Sequence, residues 1–132
     1  MSGMDEGDAT RDVRPLVAAF ADRLERRDWV GLAEVLDPDV IYEVPQTRER
    51  IRGRDAYVTF NREFPGDWHI RPQLVLGDDH DGCLLFGWTS GDEDAQAIAF
   101  FEVAGGLITK VTDFWPEPYE PPPGREHLTE RW

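Results

Sequence analysis

One carboxylate in this chain stands where an acid would do chemistry. In the run Ile108-Thr109-Lys110-Val111-Thr112-Asp113-Phe114-Trp115, strand alternation puts Val111, Asp113 and Trp115 on a single face. Bulky neighbours on that face would desolvate the carboxyl, and burial disfavours its charged form, so its pKa would rise. An acid shifted in that way sits nearer the working pH, where proton transfer is most effective. Asp113 is therefore the candidate catalytic base; the competing reading is a hydrogen-bonded aspartate that only organises the fold. His69, beside Trp68, is the second candidate, because an imidazole titrates near neutrality and can exchange protons or hold a carbonyl. Tyr42, by parity with Val44, and Asn61 are candidate hydrogen-bond donors to a substrate. Alternation also allows Phe86, Trp88, Phe101 and Trp115 to face inward, where with Trp68 they would suit a flat hydrophobic ligand.

The segment Gln46 to Arg54 holds four arginines in seven residues, Arg48, Arg50, Arg52 and Arg54. Such a loop would clamp a carboxylate or steer an anionic substrate, with Arg48 as the contact, although Glu49 and Asp55 make ordinary surface pairing the plainer expectation. The acidic turns Asp78-Asp79-His80-Asp81 and Asp92-Glu93-Asp94 have neither calcium-loop nor His-x-x-x-His spacing, so no metal is expected. No glycine-rich phosphate loop, nucleophile elbow or cofactor fingerprint occurs, and no cofactor is expected either.

The whole chain has 132 residues, 40% hydrophobic and 11% aromatic, enough for one domain with a real core and a small-molecule cavity. Its formal net charge of −13 makes nucleic acid and anionic membrane surfaces poor partners. A single cysteine, Cys83, closes no intrachain disulfide. No apolar run approaches a spanning helix, and the acidic start lacks the basic region of a signal peptide, which points to a cytoplasmic protein.

These residues need elements to hold them. Residues 1–10 read as a disordered tail. Val13, Leu16, Val17, Phe20 and Leu24 recur with helical spacing after Asp12, and Asp28 caps a second helix from Trp29 to Leu36 that Asp37-Pro38 ends. Val40 to Val44 reads as a strand, Gln46 to Gly53 as a polar loop, and Arg54 to Phe64 as a third helix with Tyr57, Phe60 and Phe64 on one side. Then the period drops to two: Trp68–Leu76, Cys83–Thr89, Ala95–Val103 and Leu107–Trp115 read as four antiparallel strands joined by short Gly/Asp-rich turns. Residues 116–132 are proline-rich and read as an extended arm. Helices first and strands after predict an α+β domain over residues 11–115, a strongly curved sheet wrapped over three helices with a hollow on its concave side.

That order, with Asp28-Trp29-Val30-Gly31-Leu32-Ala33, Asp37-Pro38-Asp39-Val40, Arg52-Gly53-Arg54-Asp55-Ala56-Tyr57 and the Ile108–Trp115 run, resembles the nuclear transport factor 2-like superfamily, and within it the SnoaL-like polyketide cyclases and ketosteroid isomerase relatives. The resemblance implies a cone-shaped barrel of strongly curved, mostly antiparallel sheet, a homodimer formed through the sheet, and a pocket for a small hydrophobic or aromatic ligand. It places the isomerase base on Val44, the oxyanion tyrosine on Phe20 and the hydrogen-bonding acid on Ala99, all apolar here, which argues against steroid isomerisation by that route. SnoaL-like cyclases instead use a late-strand aspartate, which matches Asp113, on what the resemblance makes the concave face. The implied activity is proton transfer on a carbonyl compound (cyclisation, isomerisation or dehydration), with a non-catalytic binding or dimerisation module as the alternative. The Asp-Arg-Asp trio of the epoxide hydrolases in this superfamily is not recognisable.

Overall fold

The computed structural model describes residues 12–132; the tail expected at 1–10 lies outside them. Helix α1 (Arg14–Glu25) begins where Asp12 accepts the Arg14 main-chain N–H at 3.0 Å and also pairs with the Arg14 guanidinium. It buries Val17, Phe20, Ala21 and Leu24 as one stripe. Helix α2 (Trp29–Glu34) is capped as expected: Asp28 Oδ1 accepts from Gly31 N at 2.9 Å.

The second helix stops two residues short of the expected Leu36. Leu36 instead opens strand β1 (Leu36–Val44), which runs through Asp37-Pro38. Tertiary pairing overrides the local stop signal here. Leu36 aligns with Ile108 across a parallel ladder, and Pro38 falls in the irregular stretch before Ile41, where its missing N–H costs no ladder bond. A second correction concerns the polar loop. Residues Glu49–Arg52 form a short strand, β2, folded back antiparallel on β1 through a turn in which Arg48 adopts φ 60°. Helix α3 (Arg54–Glu63) follows, then β3 (Trp68–Gly77), β4 (Asp81–Ser90), β5 (Glu93–Ala104) and β6 (Leu107–Phe114).

The six strands lie in the order β2-β1-β6-β5-β4-β3, with β1–β6 parallel and every other pair antiparallel. The α+β class and the order helix, helix, strand, helix, four strands are as expected, with β2 added; the sheet is mixed and open rather than closed into a barrel, with β2 and β3 as its edges. The three helices lie across one face, and the core between is continuous from Val17 and Leu32 to Leu84, Phe101 and Val111. Beyond β6 the chain forms no strand or α-helix, only a turn at Pro123-Gly124 and a 3-10 helix at Glu126–Leu128. No helix among the described residues is long and apolar enough to cross a membrane.

Two glycines set how closely the start of α1 lies on the sheet: on β3, a Cβ on Gly77 would come within 2.6 Å of Val13 Cγ2. A Cβ on Gly82 would come within 2.8 Å of Val17 Cγ2 and 3.2 Å of Val13 Cγ2. Gly82→Ala is expected to push α1 off β4 and destabilise the fold by about 1–3 kcal/mol, the range for overpacked cores. A lowered urea midpoint checks this; an unchanged one would mean the helix slides freely.

Candidate active site

The concave face of the sheet is bottomed by small residues. Ala95, Ala97 and Ala99 alternate along the inner side of β5, and Ala99 sits directly opposite Asp113 on β6. Methyl groups there, flanked by large aromatics on β4 and α3, leave a cavity of about 940 Å³. That is the upper end of the size range for small-molecule sites.

Asp113 lies at the bottom of this cavity, the one buried charged side chain among the described residues, at 8% exposure. Its Oδ2 accepts a 2.6 Å hydrogen bond from the Tyr42 hydroxyl, brought alongside because β1 and β6 pair in parallel with Tyr42 opposite Val111. Oδ1 has no protein donor among the described residues. Among the described residues no fully buried side-chain oxygen or nitrogen lacks a partner, so Oδ1 is accessible, and Asp113 lines the open volume. Burial pushes the Asp113 carboxyl up to about 7, and the Tyr42 hydrogen bond acts in the opposite direction. The Tyr42 phenol is raised by burial first and then by the charge of Asp113.

Tyr57, on α3, faces the same volume. It is 2% exposed, its ring lies 4.7 Å from that of Tyr42, and its hydroxyl donates to no protein acceptor among the described residues. Burial raises its phenol well above the ordinary value, as does Asp113 nearby, with Asn61 acting the other way. The arrangement is thus a half-partnered carboxyl and a free phenol donor at one end of an apolar hollow.

The other expected site residues divide clearly. Tyr42, Asn61, Trp68, Phe86, Trp88 and Trp115 all line the cavity with Asp113. Asn61 donates its amide N–H to the Tyr57 main-chain carbonyl at 2.9 Å, which ties it to its own helix. Phe101 does not line the cavity: at 1% exposure it packs edge-on against Phe20, 5.0 Å between centroids, as part of the core. His69 is corrected as well. Alternation on β3 buries Trp68 and Ile70 and turns His69 outward, where Glu25 at 2.8 Å and Asp67 at 3.3 Å hold it and raise its pKa. It does not line the cavity.

Arg48 is likewise outside the lining, at the exposed tip of the β1–β2 turn. The residues of that turn that do reach the cavity are Gln46, Thr47 and Glu49. Gln46 clasps the end of β6: its amide donates to the Trp115 carbonyl at 3.0 Å and its Oε1 accepts from the Trp115 N–H. This clasp fixes Trp115 beside Phe86 and Trp88, each 5.8 Å away edge to face. The arm contributes Pro116, Glu117 and Tyr119 to the mouth.

Three helices packed on one face of an open, mixed six-stranded sheet give the chain an NTF2-like fold. An NTF2-like protein of Burkholderia xenovorans LB400 superposes with a TM-score of 0.77 at 20% identity, over 91% of this chain and 94% of that one. More narrowly, the chain belongs to the SnoaL-like domain family, whose family model matches residues 17–111. It is 48% identical to a protein of Kribbella flavida DSM 17836 provisionally named a ketosteroid isomerase, over 91% of this chain and 89% of that one, with a TM-score of 0.89. A provisionally named polyketide cyclase of Xanthomonas campestris pv. campestris matches with a TM-score of 0.66 at 22% identity, over 83% and 93%. No curated protein matches the chain in sequence.

The positions that carry isomerase chemistry in the resemblance, Val44, Phe20 and Ala99, all line this cavity. They are apolar at the points where a base and two donors would be needed.

Proposed function

We propose that the protein is a proton-transfer enzyme acting on a hydrophobic carbonyl compound bound flat in the cavity. The observation that carries this reading is Asp113: a buried carboxyl with one donor, one free oxygen, and open volume in front of it. As a carboxylate, Asp113 takes a proton from the carbon next to the carbonyl. The electron pair moves onto the carbonyl oxygen, and Tyr57, whose hydroxyl proton has no protein acceptor among the described residues, donates to that oxygen as charge develops. Tyr42 holds the Asp113 carboxyl in place. Returning the proton to a different carbon isomerises the substrate; attack of the enolate on a second carbonyl of the same molecule closes a ring.

The Kribbella relative's provisional name fits the first outcome. Here such an isomerisation would run through Asp113, because the Val44 side chain has no group that can accept or release a proton. The test is α-proton exchange: the protein in D2O with a panel of aryl and alicyclic ketones, read by loss of the α-proton NMR signal. Wash-in of deuterium above the buffer rate is expected for flat hydrophobic members, and none for any member would overturn the reading.

The reading includes a homodimer in a cytoplasmic setting. Alternation on β3 to β6 turns Leu74, Leu76, Phe100 and Phe114 to the outer face, and the first three are about half exposed. Phe100 and Phe114 stack edge to face at 5.8 Å, giving a ridge that a second copy would cover. Phe100→Asp is expected to shift sedimentation from dimer to monomer with the fold intact by circular dichroism. A wild-type chain that sediments as a monomer would remove this part.

A further inference from the structure

All ionisable groups on the cavity wall, tyrosines aside, carry one sign. Asp113 stands at the bottom and Glu49, Glu93 and Glu117 around the mouth, whereas no arginine, lysine or histidine lines the volume among the described residues. The net charge alone does not produce this sorting, because the cavity borders the most arginine-rich stretch of the chain. Alternation on β2 pairs Glu49 with Val44 and Ile51 with Tyr42, both inward residues, and sends Arg50 and Arg52 to the opposite face. There Arg50 and Lys110 both bind Glu43, at 2.6 and 3.3 Å. Arg27, the cation that lies on Trp68, is occupied by the carbonyls of Leu24, Glu25 and Trp68 and covers the indole at 3.5 Å. Inside, Trp88, Trp115 and Phe64 offer ring faces and edges, and Tyr119 stands over the entrance at 85% exposure.

We propose that the cavity selects a ligand that carries a protonated amine at its mouth end on a flat hydrophobic body, and turns away carboxylates and phosphates. This rests on the same site as the proton-transfer reading and narrows its substrate to a basic, nitrogen-bearing compound. The carbonyl end lies toward Asp113 and Tyr57, and the ammonium end lies among the three glutamates and the aromatic rings. Aromatic faces attract cations through their quadrupole, and a cleft lined by one sign of charge with low-dielectric walls concentrates the opposite sign. An anion would meet four carboxylates and no compensating cation.

The test uses three probes on one scaffold: naphthalen-2-ylmethylammonium, naphthalen-2-ylmethanol and naphthalene-2-carboxylate, titrated calorimetrically into the full chain at pH 8 in 50 mM and 500 mM salt. The ammonium is expected to bind at least tenfold more tightly than the alcohol, and the carboxylate more weakly than either. The ammonium advantage should shrink at high salt, since the mouth glutamates are solvent-exposed. In the triple variant Glu49→Gln, Glu93→Gln, Glu117→Gln the advantage should fall to within about threefold while the alcohol's affinity holds. Equal binding of alcohol and ammonium, tighter binding of the carboxylate, or no ammonium binding at millimolar concentration overturns the proposal.

No turnover is involved, so the two readings fail separately. Ammonium preference without α-proton exchange removes only the chemistry. Exchange without the preference removes only the charge selection.

Discussion

Asp113→Asn is expected to slow α-proton exchange by roughly a thousandfold, within the range that a positioned general base contributes. Asparagine keeps the shape of the side chain and can still accept from the Tyr42 hydroxyl, so the loss would report the missing basic oxygen rather than a collapsed site. The pH profile carries the second half of the prediction. The groups that face Asp113 are Tyr42 from β1 and Tyr57 from α3, with Glu49 of β2 close enough to act on Tyr42. No cation among the described residues lines the hollow to hold the carboxyl ionised. Because the base must be ionised, exchange should rise with pH through about 7 and then level off. The Tyr42 hydrogen bond favours the carboxylate, so Tyr42→Phe should move that rise to higher pH. Exchange that persists in Asp113→Asn, or a profile flat from pH 5 to 9, would assign the base elsewhere.

The same substitution should make the protein more stable at neutral and alkaline pH. The folded-state pKa of Asp113, about 7, lies above the ordinary value of 3.8 that it recovers on unfolding. Below pH 3.8 both states are protonated and the group costs nothing. As pH rises from there, the unfolded chain releases its proton first, so stability falls until pH passes about 7, and above that the penalty is constant. A gap of about three in pKa corresponds to about 4 kcal/mol. Asp113→Asn removes that penalty, and at pH 8 its Tm should exceed the wild type's by roughly 15 °C for a domain of this size, with the two curves meeting near pH 4. Equal melting temperatures at pH 8 would mean that the carboxyl is better solvated than its burial implies. A group that destabilises the fold and is retained at the bottom of a cavity is the pattern expected of a working acid or base.

Local signals carried most of the architecture. The Asp28 cap, the apolar stripe of α1 and the two-residue alternation from Trp68 onward each depend on near neighbours, and each element formed close to its expected bounds. Failures came where distant partners decide. Asp37-Pro38 reads locally as a helix stop, yet Leu36 is drawn into a ladder with Ile108 some seventy residues away. Glu49–Arg52 is too short and charged to read as a strand, and becomes one by folding back on β1.

The site divides the same way. Parity along single strands is enough to put Asp113, Tyr42, Trp88 and Trp115 on the cavity side. The same parity on β3 turns His69 to the face opposite Trp68 and Ile70, away from the hollow. Tyr57 was visible only as one member of the α3 stripe with Phe60 and Phe64, and that stripe was the signal that could have found it. Gln46, Glu117 and Tyr119 reach the mouth through turns and an arm that have no periodicity to follow.

The bond between Tyr42 and Asp113 spans 71 residues of chain, and it closes between the first strand of the sheet and the last. Hairpins β3–β4 and β4–β5 join sequence neighbours and can form early, whereas the parallel β1–β6 ladder must wait for a long loop to close. The polar pair would therefore be the last part of the molecule to assemble as it folds. A nascent chain released before β6 emerges would already hold its hairpins but neither the aspartate nor the strand that brings the tyrosine to it.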